Sequence, residues 1–392
     1  MNAAMRAWLD APMDRRGTHC EKWDGLKRYF GRDDLIAMWV ADMDFPTVPE
    51  VRDALVARAQ HPVYGYTNLG DESRRAEAGW LLRRHGLKVE EDWILYSPGV
   101  VDSLFFCVDA FTGAGDAILI QPPVYGPFYR AAELYGRPLV FNPLKLDETG
   151  WHIDYDDLEA KLKGGVRMMI LCSPHNPVGR VWTREELQRV VDLANRYGTL
   201  VVSDEIHADF TLGGRRQTRI LSLENAERCV MLTSATKSFN LAGLRQSSAV
   251  VPDAGLREAL RKTMERAHAT DANLFGAIAQ TAAYTHGDEW MDAVNEYVRE
   301  NRDCAAAFFR EQLPEIGCRP QEGTYLMWLD FRGLGMDHEA IRSMLTNGAR
   351  VALNEGTFFG EEGRGWFRMN LATQRANVTG TLENIRNAIR SR

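Results

Sequence analysis

Thr233-Ser234-Ala235-Thr236-Lys237-Ser238-Phe239-Asn240-Leu241-Ala242-Gly243-Leu244-Arg245 follows the apolar run Arg228-Cys229-Val230-Met231-Leu232 and places one lysine between a hydroxyl three residues before it and a guanidinium eight residues after it. A lysine amine is a nucleophile only when unprotonated, so covalent use of Lys237 requires burial or neighbouring positive charge to lower its pKa. The apolar flanks and Arg245 could supply both. The spacing suits a lysine bonded to a phosphorylated cofactor. A solvated loop lysine with an arginine on a nearby edge fits the same stretch, so the remainder of the chain has to decide between them.

At 392 residues with 45% hydrophobic composition, the chain can bury a large core and is expected to form one big α/β domain and a smaller one. Its 47 basic residues are scattered among 54 acidic ones for a net charge of -7, which removes the electrostatic reason to expect a nucleic-acid or membrane-surface partner. A small-molecule partner is expected instead. The six cysteines, Cys20, Cys107, Cys172, Cys229, Cys304 and Cys318, form no CxxC pair and read as reduced and structural. No apolar run has signal-peptide character at the N-terminus or the length to span a bilayer, so a soluble protein of the cytoplasm is expected.

Residues 1 to about 45 are polar and aromatic, and read as an arm that packs on something else, with Trp23 and Trp39 as anchors. Helical patterns run from Pro49 to Gln60 and then to a stop near Gly86. From Trp93 onward, strand-like runs alternate with helical segments. The expected strands are Trp93 to Tyr96, Ala117 to Ile120, Leu139 to Phe141, Arg167 to Cys172, Leu200 to Ser203, Val230 to Thr233 and Ser248 to Val251. Helices are expected at Val101 to Phe111, Phe128 to Leu134 and Arg184 to Tyr197. Repeated βα units imply a largely parallel sheet covered on both faces. Two long helical patterns, Leu256 to His286 and Glu289 to Gln312, follow, and after Pro314 short strands mixed with helices read as a smaller α+β unit. The expected division is a large domain over 46–286 and a small one combining 1–45 with 287–392.

The chemically distinctive residues come just after strands. Ser97-Pro98-Gly99-Val100-Val101 begins a helix whose free N–H groups could hold a phosphate. Pro123-Val124-Tyr125, Ser173-Pro174-His175-Asn176-Pro177, Asp204-Glu205-Ile206-His207 and Lys237 each follow a further strand. In an open parallel sheet, residues beyond the carboxyl ends of strands collect in one crevice. The set matches what a pyridoxal phosphate site needs: a lysine, an acid for the ring nitrogen, a donor to the phenolic oxygen, an aromatic on the ring and a phosphate cup.

Asp204-Glu205-Ile206-His207 and Ser234-Ala235-Thr236-Lys237-Ser238-Phe239-Asn240-Leu241-Ala242-Gly243-Leu244 resemble fold type I pyridoxal-phosphate enzymes of the class I/II aminotransferase superfamily. More narrowly, Arg15-Arg16-Gly17-Thr18-His19-Cys20-Glu21-Lys22-Trp23-Asp24, Trp39-Val40-Ala41-Asp42-Met43-Asp44-Phe45, Ser97 to Val101 and Pro122 to Phe128 resemble the MalY/PatB family of cystathionine β-lyases and cysteine-S-conjugate C–S lyases. The resemblance runs through essentially the whole chain. It implies the fold type I architecture, with a mostly parallel seven-stranded sheet between helices plus a small α+β domain, and pyridoxal 5'-phosphate as cofactor.

By that resemblance, Lys237 would carry the cofactor, Asp204 would pair with its ring nitrogen, Asn176 would hydrogen-bond the phenolic oxygen and Tyr125 would stack on the ring. Val100, Val101, Ser234 and Arg245 would meet the phosphate, and Tyr66 would reach the neighbouring subunit's phosphate site in a homodimer. Arg368 would grip the substrate α-carboxylate, helped by backbone near Ala41. Two departures stand out. His207 occupies a position where aminotransferases commonly carry tyrosine, as in the lyase family, whereas Arg245 is the more typical aminotransferase choice. The implied reaction is β-elimination from a cysteine S-conjugate, with Lys237 removing the Cα proton. Transamination would use the same residues, and some members of this family also bind a regulatory protein.

Overall fold

The computed structural model describes residues 1–68, 71–271 and 273–391. Seven strands form one sheet: β1 (Ile94–Ser97), β2 (Ala117–Ile120), β3 (Leu139–Phe141), β4 (Val166–Cys172), β5 (Leu200–Asp204), β6 (Val230–Thr233) and β7 (Ser247–Val250). Their spatial order is β1-β7-β6-β5-β4-β2-β3. The run from β6 through β5, β4 and β2 to β3 is parallel. Only β7 runs against its neighbours, β1 and β6.

Burial of both faces explains why these strands read as continuous apolar runs rather than alternating ones. Along β4, Met169 and Leu171 enter one hydrophobic cluster while Met168 and Ile170 enter another, as the two-residue period of a strand requires. The expected strands each fall within one residue of those formed.

Helices cover the sheet where the sequence places them. The helix α1 (Val100–Phe111) follows β1, and α2 (Arg184–Tyr197) carries a capping box between Thr183 and Glu186 and ends on Gly198 in the left-handed region. A single turn, α3 (Ala235–Ser238), follows β6. The pattern read as one helix from Leu256 to His286 is broken into α4 (Ala254–Arg266) and α5 (Leu274–His286). Local polar chemistry explains the break: His268 takes φ +50°, and the Asn273 side chain accepts the Gly276 N–H at 3.0 Å, starting a new helix.

The 25-residue helix α6 (Asp288–Gln312) leads to a four-stranded antiparallel sheet of β8 (Gly317–Cys318), β9 (Leu326–Asp330), β10 (Asn354–Glu355) and β11 (Trp366–Asn370), in the order β8-β9-β11-β10. The last helix is α7 (Arg375–Arg390).

The N-terminal arm is fastened here. Ile36–Ala37 pairs in parallel with Val351–Ala352, and the Asn370 side chain donates to the carbonyls of Val40 and Asp42, each at 2.6 Å. Fully buried Lys22 lies 2.7 Å from Asp44, which also accepts from Arg15 at 2.8 Å and from the Trp23 indole at 2.9 Å. These partners compensate one another, so breaking any one leaves a buried charge exposed to a large desolvation cost. No helix among the described residues is long and apolar enough to cross a membrane.

Candidate active site

Beyond the carboxyl ends of the parallel strands lies a cavity of about 220 Å³. Nine of the sequence-predicted residues line it: Ala41, Val100, Val101, Tyr125, Asn176, Asp204, His207, Lys237 and Arg245. They span some 200 positions of sequence and meet because each follows a strand of the same sheet or lies on the arm.

At one end is the N-terminus of α1. Gly99 is the cap residue, and a Cβ there would lie 2.5 Å from the Asp102 carboxylate, so glycine keeps this turn compact. The first intrahelical bond runs from Ser103 N–H to Gly99 C=O at 2.9 Å, leaving the N–H groups at Val100 and Val101 without intrahelical acceptors. Arg245, in the left-handed region at φ +47°, stands on the same rim and is paired with Asp102 at 3.0 Å. Helix N-terminus and guanidinium together make an anion cup.

In the middle of the cavity, Asp204 terminates β5 and is 6% exposed. One oxygen accepts the Ile206 N–H at 3.1 Å, and burial pushes the carboxyl up to about 7. Lys237, half-buried, is pushed down to about 8, first by desolvation and further by Arg368, against the opposing pull of Asp42 and Asp204. Its Nζ donates to the Ala41 carbonyl at 2.5 Å, which also accepts the Tyr325 hydroxyl at 2.9 Å. His207 packs edge-on against Tyr325 with ring centroids 5.7 Å apart, and burial holds its imidazole well below the usual range. The Tyr125 ring packs edge-on against Phe358 at 6.0 Å.

Arg368 on β11 sits beside the cavity at 3% exposure. Nη1 donates to Asn176 Oδ1 at 3.0 Å and Nη2 to the Trp39 carbonyl at 3.0 Å, and the guanidinium lies 4.8 Å above the Phe359 ring. Both acceptors are neutral, no carboxylate pairs with it among the described residues, and Nε has no partner. Burial lowers its pKa to about 10. A buried cation without a counter-ion is costly, and the arrangement is that of a receptor for an anion from outside.

Two further predicted residues are not among those lining the cavity. The Ser234 hydroxyl caps α3, accepting the Thr236 N–H at 3.0 Å and donating to the Gln246 carbonyl at 2.7 Å, while Thr236 lines the cavity. Tyr66 is fully exposed and is not among the residues lining this cavity. Cys172, read as structural, is buried but also forms part of the cavity wall, with its thiol pushed up by desolvation. Tyr325 went unnoticed in the sequence because only tertiary packing brings its hydroxyl to Ala41.

These residues fit the cofactor implied by the resemblance. Asp204 has an oxygen free for a protonated ring nitrogen, Lys237 is more easily deprotonated than an ordinary lysine, and an anion cup lies at the far end.

A family model described as "Aminotransferase class I and II" matches residues 33–385. The chain is 38% identical to the cystathionine beta-lyase PatB of Bacillus subtilis, over 97% of this chain and 99% of that protein. It superposes with TM-score 0.94 on cystalysin from Treponema denticola, solved with a pyridoxal 5'-phosphate cofactor, at 31% identity and covering 98% of each chain. The pyridoxal-phosphate-bound C–S lyase from Staphylococcus hominis superposes with TM-score 0.91 at 30% identity, covering 97% of each chain. The chain therefore belongs to the class I and II aminotransferase family, within the group that includes PatB.

Proposed function

We propose that the protein is a pyridoxal 5'-phosphate-dependent carbon–sulfur β-lyase that converts a cysteine S-conjugate such as cystathionine, with one water, into a thiol, pyruvate and ammonia. The observation that favours β-elimination over transamination, which would use the same residues, is the 38% identity to the cystathionine beta-lyase PatB over 97% of this chain. Buried Arg368, without a counter-ion among the described residues, and Lys237 supply the chemistry the two reactions share. Arg368 binds the α-carboxylate through its planar fork, exchanging the neutral acceptors Asn176 and Trp39 for a charged one. That contact orients the substrate so that its Cα–H faces the Lys237 amine, which takes the proton. The bound cofactor supplies the electron sink for the pair left at Cα. Asp204 holds a negative charge at the ring nitrogen, Asn176 offers its amide to the phenolic oxygen and Tyr125 covers the ring. His207 fills the remaining wall as a neutral imidazole. The phosphate is met by Val100 and Val101 N–H groups, Arg245 and the Ser234–Thr236 turn.

Incubation with cystathionine, an S-alkyl cysteine or ordinary amino acids, each with and without 2-oxoglutarate, tests the reaction. Equal amounts of thiol, pyruvate and ammonia are expected, independent of 2-oxoglutarate. A difference of about 1.4 kcal/mol between competing barriers shifts the partition tenfold, so one outcome should dominate. Glutamate formed in step with substrate loss would make the protein an aminotransferase instead.

The reading extends to a cytoplasmic homodimer, consistent with six free cysteines. The full exposure of Tyr66 supports its service in the partner's phosphate site. Mixing Lys237→Ala with Tyr66→Ala should restore about a quarter of native turnover, since half the dimers would be hybrids with one intact site each. A fully active monomer in light scattering would refute it. We also divide the chain into a large unit over 46–286 and a small unit of 1–45 with 287–392, a division supported by the placement of the seven-stranded sheet within 94–250 and of the four-stranded sheet within 317–370.

A further inference from the structure

Lys237 lies on a helix of only four residues. So short a turn has no stability of its own, because nucleation fixes several dihedrals for one or two hydrogen bonds. The position of the amine must therefore be imposed from outside. The leading end is tied by Ser234, through the Thr236 N–H and the Gln246 carbonyl. The trailing end is tied by Ser238, whose hydroxyl donates to Oδ2 of Asp209.

Asp209 lies five residues beyond Asp204, on the loop that leaves β5. Its other oxygen is held by the His85 ring nitrogen at 2.7 Å and the Trp80 indole N–H at 3.1 Å, and its backbone carbonyl accepts the Asn295 side-chain amide at 2.8 Å. The carboxyl group is only 9% exposed. Burial alone would raise its pKa, yet the bond and charge of His85, the charge of Arg219 and the bond from Ser238 hold it down to about 2, so it stays an anion with charge-assisted acceptor strength. The adjoining Phe239 ring is packed edge-on against Trp80 at 5.2 Å, so that indole supports the turn by contact as well as through Asp209.

We propose that Asp209 is a positioning residue for the reaction: through Ser238 it locks the Lys237-bearing turn to the loop of Asp204, fixing the proton-transferring amine relative to the acid at the ring nitrogen. This rests on the assignment of Lys237 as the residue that moves the Cα proton. The lock touches neither substrate nor cofactor. It acts by limiting where the amine can go, and displacements near 1 Å of a reacting group cost on the order of 100-fold in rate.

The test uses the full-length holoenzyme. Ser238→Ala removes one hydroxyl while leaving Asp209 paired with His85 and Trp80, so the fold is retained. It should lower kcat by roughly 10- to 100-fold with KM changed less than about twofold, and weaken the visible circular dichroism of the bound cofactor. Ser238→Thr, which keeps the hydroxyl, should recover most of both signals, which loss of packing alone does not predict. Asp209→Asn should match Ser238→Ala wherever it folds. A Ser238→Ala enzyme with kcat within about twofold of native and an unchanged dichroic band overturns the proposal. If Lys237→Ala were itself active, the parent reading would have failed. An inactive Lys237→Ala beside a native-like Ser238→Ala would reject the lock alone.

Discussion

Lys237→Ala is expected to lose turnover by at least about 10⁴-fold, because one side chain both anchors the cofactor and moves the proton. It should also lose the yellow colour expected of the native protein while melting as a folded protein. Burial brings the free amine from 10.5 down to about 8. At pH 8 about half of it is neutral, against roughly one part in 300 for an unperturbed lysine. Attachment of added pyridoxal 5'-phosphate to the cofactor-free chain should accordingly accelerate as pH rises to about 8 and then level off. The sign follows from which form reacts: deprotonation creates the nucleophile, so a depressed pKa moves the rise to lower pH. Continued acceleration to pH 10 would mean that Lys237 is not desolvated. Borohydride reduction followed by peptide mapping that labels another lysine would reject the assignment.

Asp204→Asn should retain cofactor, which is also held at its phosphate, but lose roughly 10²- to 10³-fold in kcat. The negative charge acts on a developing electron pair that exists only along the reaction path, so KM should change little. Burial raises the carboxyl to about 7, and a cationic ring nitrogen beside it would favour the ionised form. The two charges are thus complementary only when both are present. A variant with near-native kcat would show that some other group holds the ring nitrogen.

Much of this architecture was legible because strands buried on both faces leave long apolar runs, and functional residues follow them at once. β2, β3 and β6 have the expected bounds, and α2 announces both its ends through Thr183, Glu186 and Gly198. The gap between α4 and α5 was missed because alanine-rich flanks mask the cap at Asn273, whose role depends on backbone geometry rather than periodicity. The same limit applies to the site. Lys237, Asp204 and Asn176 could be read from strand-end positions, whereas the contributions of Tyr325, Thr236 and Asp209 depend on which way a side chain turns after the chain has folded. Ser234, read for the phosphate cup, also caps α3, a role that depends on local backbone geometry.

The bond between Arg368 and the Trp39 carbonyl joins residues 329 positions apart, and the Asn370 amide closes a loop of similar size onto Val40. During synthesis the wall formed by Trp39 to Asp44 emerges early and must wait for nearly the whole chain before its partner strand appears. Until then the arm has no sheet to lie against, and the buried charges of Lys22 and Asp44 have only each other and their near neighbours. The seven-stranded sheet can be completed once residue 250 has left the ribosome, so a nascent chain can hold a formed cofactor cradle that lacks its carboxylate receptor. The carboxylate receptor is therefore completed only when strand β11 joins the arm, long after the residues of the seven-stranded sheet have been made.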